Sequence, residues 1–422
     1  MAGALEGIRV LEFSEIIAGP FCGMLLSDMG ADVIKVEPPE GEPWRLIAEF
    51  VPKESRWYIS LNRGKRNLTL DLNRPEAQEI VGRLVPDMDV AIVNYRPDVA
   101  EKLRIDYDSL SALNPRLIYC DNTAFGRKGP QAHRGGYDII VQGLTGLMAL
   151  DGKAVDGIPD IPRLPAADFV AGTMMAWAVS AALFHRERTG RGQKIETSLL
   201  GAALAATTWR FLKVYAVDTE WQQEFLDKIH HAGESGPGYE ELQEILTAQR
   251  PVVRVGNIYY RVFKTKDSFV AVGCLADSLR KKLCSVLGLH DIRFEPDWDP
   301  GSPEAQEFGQ RLIAQAEELF VERSTEEWLR IFDQQGIPAG PVRFTEELLD
   351  DPQVLANDLV TEVEHSLVGT VRTVGPPFKM SETPLRVQRA SPALGEHTDA
   401  ILGELGYTHE QIEGLRAAGV LR

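Results

Sequence analysis

One acidic side chain, Asp168, opens a stretch that carries no other charge until His185-Arg186-Glu187-Arg188. Proline stands just ahead of it in Leu164-Pro165-Ala166-Ala167-Asp168, so a helix starts there with Asp168 in its first turn. A helix N-terminus favours negative charge, which predicts an ionised carboxylate at neutral pH, and an ionised carboxylate is a nucleophile. The competing reading is a helix cap, a role for which Asp is a favoured residue. Composition alone favours the cap. The other reactive residue types are scattered: the eight histidines form no cluster, and His230 and His231, being adjacent, cannot make the i, i+4 pair of a helical metal site. Cys22, Cys120, Cys274 and Cys284 lie far apart without CxxC spacing, so neither zinc nor a disulfide framework is expected, and they read as buried thiols.

The elements that must position Asp168 follow from periodicity. Ile8–Phe13 and Asp32–Glu37 read as strands around a small-residue helix at Gly19–Met29, a β-α-β unit. The pattern repeats with a strand at Leu68–Leu72, a helix at Pro75–Val85, and strands at Asp89–Val93 and Leu117–Asn122. Such alternation predicts an α/β fold with a mostly parallel, Rossmann-like sheet and ligands beyond the carboxyl ends of its strands. Ser14-Glu15-Ile16-Ile17-Ala18-Gly19-Pro20 follows the first strand and is not GxGxxG, which disfavours NAD. Its Gly-Pro opening onto a helix is either a tight turn or a place where backbone N–H groups meet a phosphate or thioester oxygen.

Tyr137–Met148 and Ala167–Arg188 are apolar nearly all round and are expected to be buried helices. Arg188-Thr189-Gly190-Arg191-Gly192-Gln193 then leads to a strand at Lys194–Thr197 and a helix at Leu199–Trp209. Composition shifts near residue 217, which divides the chain into a large domain over 1–216 and a small α+β domain over 217–332. The small domain begins with a polar excursion, 218–250, carrying one or two exposed helices, and has paired strands at Tyr259–Phe263 and Phe269–Val272. Gly336-Ile337-Pro338-Ala339-Gly340-Pro341 breaks the chain before a helix at Thr345–Leu349 and a β-rich piece at Thr361–Val374. No period of 20 to 50 residues recurs, which excludes a solenoid.

A chain of 422 residues, 44% hydrophobic and 25% charged, has ordinary globular composition. No segment approaches the roughly 20 uninterrupted apolar residues of a membrane span, and Met1–Glu6 has no signal-like character, so the expectation is a cytoplasmic protein. The net charge of −17 argues against nucleic acid as a partner, and a polyanionic ligand would need a local basic pocket.

Eight motifs, in order along the chain, carry a family resemblance. Leu5–Phe13, Ala18-Gly19-Pro20, Gly30–Glu37, Leu61-Asn62-Arg63-Gly64-Lys65-Arg66-Asn67-Leu68, Asn94-Tyr95-Arg96-Pro97, Asn114–Tyr119, Arg188–Gln193 and Leu394-Gly395-Glu396-His397-Thr398, with Phe125-Gly126 and Gly129-Pro130, are similar to those of the class III CoA-transferases, the CaiB/BaiF family. The resemblance runs nearly end to end and is weakest between 210 and 330. It implies an interlocked homodimer whose large domain is built from both chain ends, so that 333–422 returns to it, with the small domain as an insertion. It places the family's catalytic aspartate on Asp168, which favours the nucleophile over the cap. It implies that CoA or acyl-CoA is a substrate, with no tightly bound cofactor and with a small carboxylic acid as the second partner; neither nucleic acid nor membrane is implied.

By the same resemblance, Arg96, Lys102 and Arg134 stand in CoA-contacting segments, Ile17 and Ala18 in the loop along the acyl and pantetheine region, and Tyr137 at a position lining the active site. The implied reaction is attack of Asp168 on an acyl-CoA thioester, with an acyl-aspartyl anhydride as intermediate. Two departures narrow the activity. Relatives that racemise 2-methylacyl-CoA carry His-Asp where this chain has Tyr137-Asp138, and a tyrosine of pKa about 10 is a poor general base at neutral pH; His133 is the only nearby substitute. The formyl-CoA:oxalate member has glutamine in place of Ile17 and a glycine-rich loop where Val252-Val253-Arg254-Val255-Gly256-Asn257 has one glycine, so a bulkier acid is expected. The remaining alternative is a catalytically silent CoA-binding subunit, against which the retained Asp168 argues.

Overall fold

Six short apolar segments build one sheet: β1 (Arg9–Phe13), β2 (Asp32–Glu37), β3 (Arg66–Thr69), β4 (Val90–Val93), β5 (Ile118–Thr123) and β6 (Gln193–Ser198). The computed structural model describes residues 2–151, 153–236, 238–249, 257–295, 298 and 303–422; Val252–Gly256, compared above with a glycine-rich loop, lie outside them. Every neighbouring pair of strands is parallel, in the order β3-β2-β1-β4-β5-β6. This is the doubly wound order expected of a Rossmann-like sheet, and its switch point lies between β1 and β4.

Helices cover both faces, which is why these strands read as nearly continuous apolar runs. On one face Leu11, Ile34, Ala91 and Val93 pack with Ile80 and Leu84 of α2 (Pro75–Leu84) and with Ile401 and Ile412 near the C-terminus. On the other, Val10, Val33, Ile92 and Cys120 meet Cys22 and Leu26 of α1 (Ala18–Asp28). The same layer holds Met175 and Val179 of a long helix, α5 (Ala166–Thr189). Three further helices bear on the site: α3 (Pro97–Lys102), α4 (Asp138–Leu144) and α6 (Leu199–Ala206).

The two chain ends meet in one compact unit, formed by Met1–Thr219, Ala232–Gln243 and Pro352–Arg422. Backbone hydrogen bonds stitch the late segment onto the edge of β3: Gly64 N–H to the Arg389 carbonyl and Asp71 N–H to the Val420 carbonyl, each 2.9 Å. Two antiparallel strands there, Val360–His365 and Gly369–Val374, account for the β-rich piece.

The second unit, Glu220–His231 and Glu244–Asp351, contains the antiparallel strands β7 (Tyr260–Lys264) and β8 (Phe269–Gly273). Stacked Phe263 and Phe320 rings, 4.1 Å between centroids, anchor its core. A boundary at 332 separates chain that packs together. The segment read as a breaker forms β9 (Ala339–Pro341), which pairs antiparallel with β8, and the unit runs on to Asp351. The polar excursion consists of two helices, α7 (Tyr215–Ser235), in which Ala232 alone is buried, and α8 (Tyr239–Gln249).

Two expectations of complete burial are corrected. The segment Tyr137–Met148 is not one helix: α4 ends at Leu144 and Gly146 sits at a φ of 75° before a short helix at Leu147–Asp151. Its Ile139, Ile140 and Leu144 are exposed. Helix α5 buries one face against α1 and the sheet, while Trp177 and Phe184 on its other face are 72% and 66% exposed. Among the described residues α5 is the one helix long and apolar enough to cross a membrane, and half of that stretch is buried inside the protein. All four cysteines are buried and free.

Candidate active site

At the switch point the chain leaves β1 and β4 in opposite directions, and the loops that follow them border a small cleft of about 70 Å³. Glu15 and Ile16 from the β1–α1 loop, Asn94 after β4, Asn122 in β5, Tyr137 ahead of α4 and Asp168 in α5 line it. Ile16 has a φ of 71°, which for a β-branched residue is a strained backbone conformation costing on the order of 1–3 kcal/mol. Such strain persists only where the surroundings hold it.

Asp168 is the third residue of α5. The cap position is Pro165, which has no side chain able to accept a hydrogen bond, and Asp168, inside the first turn, does not serve as the cap. Its own backbone N–H, one of the unpaired donors of the first turn, donates to Asp138 Oδ1 at 3.1 Å. The other Asp138 oxygen accepts from Gln142 Nε2, which also donates to the Leu164 carbonyl at 3.0 Å. Asp138 thus ties α4 to the start of α5 and brings a second carboxylate beside the first. Gly172 lets α5 approach the loop this closely, because a Cβ there would lie 2.7 Å from the Ala18 carbonyl oxygen.

The electrostatics correct the expectation of a fully ionised group. Burial pushes the Asp168 carboxyl up from the ordinary aspartate range to about 7, and the Asp138 carboxylate adds to the rise. A hydrogen bond from the Ala18 backbone N–H offsets part of it. Desolvation and a like charge outweigh the helix N-terminus here.

The other expected positions separate into two groups. Ala18 presents its N–H to Asp168, and Tyr137 lines the cleft, 61% exposed at its rim. Ile17 is buried as the residue that caps α1, and Ile16 takes the cleft-facing place. Arg96 precedes α3, pairs with Asp98 at 2.8 Å, and its Cδ lies where a Cβ on Gly135 would come within 3.0 Å. The neighbouring Arg134 holds its guanidinium 5.7 Å from the Phe125 ring centroid. Both cations lie at the loop that leads to Tyr137, and neither lines the cleft. Lys102 ends α3, about 9 Å along the chain axis from Arg96. Asp138, Ile16 and Asn94 are site residues to which no role was assigned from sequence, although the Tyr137-Asp138 pair, the Ser14–Pro20 loop and the Asn94-Tyr95-Arg96-Pro97 motif contain them. Among the described residues no three His, Cys, Asp or Glu side chains gather as a metal site.

Sheet order and cleft position define an open-sheet α/β protein with its cleft at the switch point, where sheets of this kind take their ligands. The chain belongs to CoA-transferase family III, whose profile residues 5–398 match, and it is accordingly a CoA-transferase. It is 35% identical over 415 residues to a succinate–glutarate CoA-transferase of Agrobacterium fabrum, covering 95% of each chain. It is 31% identical to the human succinyl-CoA:glutarate CoA-transferase (99% of this chain, 90% of that one). With a formyl-CoA:oxalate CoA-transferase of Rhodopseudomonas palustris it shares 30% identity (100% and 98%). Among solved structures, a CaiB/BaiF family protein of Brucella suis superposes with a TM-score of 0.72 at 30% identity, covering 96% of this chain and all of that one.

Proposed function

We propose that this CoA-transferase moves CoA from an acyl-CoA thioester to a dicarboxylic acid, with Asp168 as the covalent carrier. The observation that carries this reading is a buried carboxylate that caps no helix, faces the switch-point cleft and receives a single backbone N–H, that of Ala18. In its ionised form an Asp168 oxygen attacks the thioester carbonyl; the C–S bond breaks and the sulfur leaves as thiolate with the electron pair, giving an acyl-aspartyl anhydride. The thiolate then attacks the aspartyl carbonyl and expels the donor acid, leaving an aspartyl-CoA thioester. The acceptor carboxylate displaces the thiolate to form a second anhydride, and thiolate attack on the acceptor's acyl carbon releases new acyl-CoA and free Asp168. The Ala18 N–H, already directed at the carboxylate, is suited to stabilise oxyanions that develop there.

Arg96 and Arg134, at the loop that leads to Tyr137, and Lys102, at the end of α3, are the cations this reading assigns to the CoA phosphates in a chain of net charge −17. A dicarboxylic acceptor is supported by the names of the succinate and glutarate relatives, and the apolar Ile16 on the cleft wall suits the methylenes of its chain. Racemisation is disfavoured because Tyr137, not a histidine, lines the cleft, and His133 is exposed in the preceding loop. A homodimer is supported by the uncovered apolar face of α5 and by Trp209, Phe211 and Leu212, each at least 66% exposed.

The test is mass spectrometry of protein quenched during turnover with succinyl-CoA and glutarate. The expected result is an adduct on the peptide containing Asp168, absent in Asp168→Ala, together with loss of CoA exchange in that variant while it remains folded. Undiminished exchange in Asp168→Ala sinks the proposal.

A further inference from the structure

The loop between β1 and α1 is held residue by residue from other parts of the chain. The Lys35 ammonium in β2 donates to the Ser14 carbonyl at 2.7 Å. Asn94 accepts the Glu15 N–H at 3.0 Å and donates to the Glu15 carbonyl at 2.7 Å. Glu42, five residues past the end of β2, accepts the Ile16 N–H on Oε2 at 2.9 Å. These grips are not equivalent. Ile16 is the strained residue of the loop, at φ 71°, so the contact on its N–H resists the tendency of the backbone to relax.

Glu42 is built for a fixed position. It is 2% exposed, its own N–H donates to Glu37 Oε2 at 3.0 Å, and its Oε1 lies 3.5 Å from the Lys35 ammonium. Lys35 in turn is fixed by Glu12 Oε1 at 3.1 Å, an oxygen that also accepts from Lys65 at 3.0 Å. Glu42 does not line the cleft. Two residues beyond its hydrogen bond, however, Ala18 gives its N–H to Asp168.

We infer that Glu42 is a positioning residue for the transfer reaction: by holding the Ile16 N–H it keeps the strained turn in place and so aims the Ala18 N–H at the Asp168 carboxylate. This inference rests on the reading of Asp168 as the nucleophile. A displacement of about 1 Å at a reacting group is enough to lower a rate about 100-fold, so a tether two residues away from an oxyanion donor matters.

Glu42→Asp is the informative change, because it keeps a carboxyl group on the same backbone but withdraws its oxygens from Ile16 by one methylene. The expected result is a fall in kcat of about ten-fold or more with the KM for acyl-CoA within about two-fold of wild type. In the Ile16→Gly background, where glycine occupies the positive φ without strain, the same change is expected to cost less than about three-fold. Should Glu42→Asp alone fail to fold, the double variant, relieved of strain, is expected to fold and to match Ile16→Gly in kcat. A kcat for folded Glu42→Asp equal to wild type, an equal loss in both backgrounds, or a double variant that is unfolded or much slower than Ile16→Gly overturns the inference. Hydrogen exchange over residues 14–18, read by mass spectrometry, separates this failure from that of the proposed chemistry. Faster exchange in Glu42→Asp is expected whether or not CoA is transferred, and unchanged exchange overturns the tether alone.

Discussion

Burying Asp168 should destabilise the protein at the pH where the group is useful. Its folded pKa of about 7 stands above the ordinary aspartate value of 3.8, so between these values the folded state holds a proton that the unfolded state has released. Stability from this group is therefore fully present below about pH 4 and is lost as pH rises through about 7, at about 1.4 kcal/mol per pH unit. Over about three units the loss approaches about 4 kcal/mol. Asp168→Asn removes it: the amide keeps an oxygen for the Ala18 N–H and turns its NH₂ toward Asp138. The variant is expected to be inactive, close to wild type in stability near pH 4, and more stable by up to about 4 kcal/mol at pH 8. Urea denaturation of both proteins at intervals from pH 4 to 8 measures this, and other titrating groups cancel in the difference between them. A difference that stays constant across that range refutes the reasoning, because it would mean that Asp168 ionises as freely when buried as when unfolded.

The rate should follow the same ionisation. In wild type kcat is expected to rise about ten-fold per pH unit below about 7 and to level off above it, and Asp138→Asn, which keeps an acceptor for the Asp168 N–H but removes the like charge, is expected to move this limb to lower pH. A pH–rate profile that Asp138→Asn leaves in place assigns the rise to burial alone. Tyr137→Phe is expected to lower kcat less than about five-fold, since the ring is exposed at the rim of the cleft; complete loss in a steady-state assay would give its hydroxyl a role in the chemistry. Arg45→Ala should destabilise the fold by about 3–5 kcal/mol in urea titration. Fully buried, Arg45 holds Glu37 through two nitrogens at 2.8 and 3.0 Å and Glu54 at 2.9 Å, and both carboxylates would be left without it.

Where one physical signal dominated, the sequence was readable. The strands Asp32–Glu37 and Val90–Val93 are buried on both faces, so their residue types alone mark them, and the prolines at 75 and 165 set helix starts through their fixed φ. Tertiary competition hid the rest. Helix α5 is apolar on all sides, which sequence reasoning equates with burial, yet its own unit leaves Trp177 and Phe184 uncovered. Ala339-Gly340-Pro341 carries loop composition but pairs at a sheet edge, where proline's missing donor costs nothing. The strain at Ile16 runs against local propensity, so no local rule could have found it. The pairing of Asp138 with Asp168 is set by how α4 packs against α5, thirty residues along the chain.

The placement of the remaining charges explains why Asp168 can carry this perturbation. Beneath the same end of the sheet, Glu12 is paired with Lys35 and Lys65, and Glu37 with Arg45, so those buried carboxylates have cations that fix them in place. Among the described residues Asp168 has no cation; its charged neighbour is Asp138, and the Ala18 N–H and the helix N-terminus are what favour its ionised form. A cation beside Asp168 would return it toward the acidic range and, with it, the lower basicity of an ordinary carboxylate. Held near 7 instead, the group is about half ionised at neutral pH yet keeps the basicity that makes it an effective attacking oxygen. Rigidity comes from the paired network, through Lys35 and Glu42 on the β1–α1 loop, and reactivity from Asp168, which stands outside it.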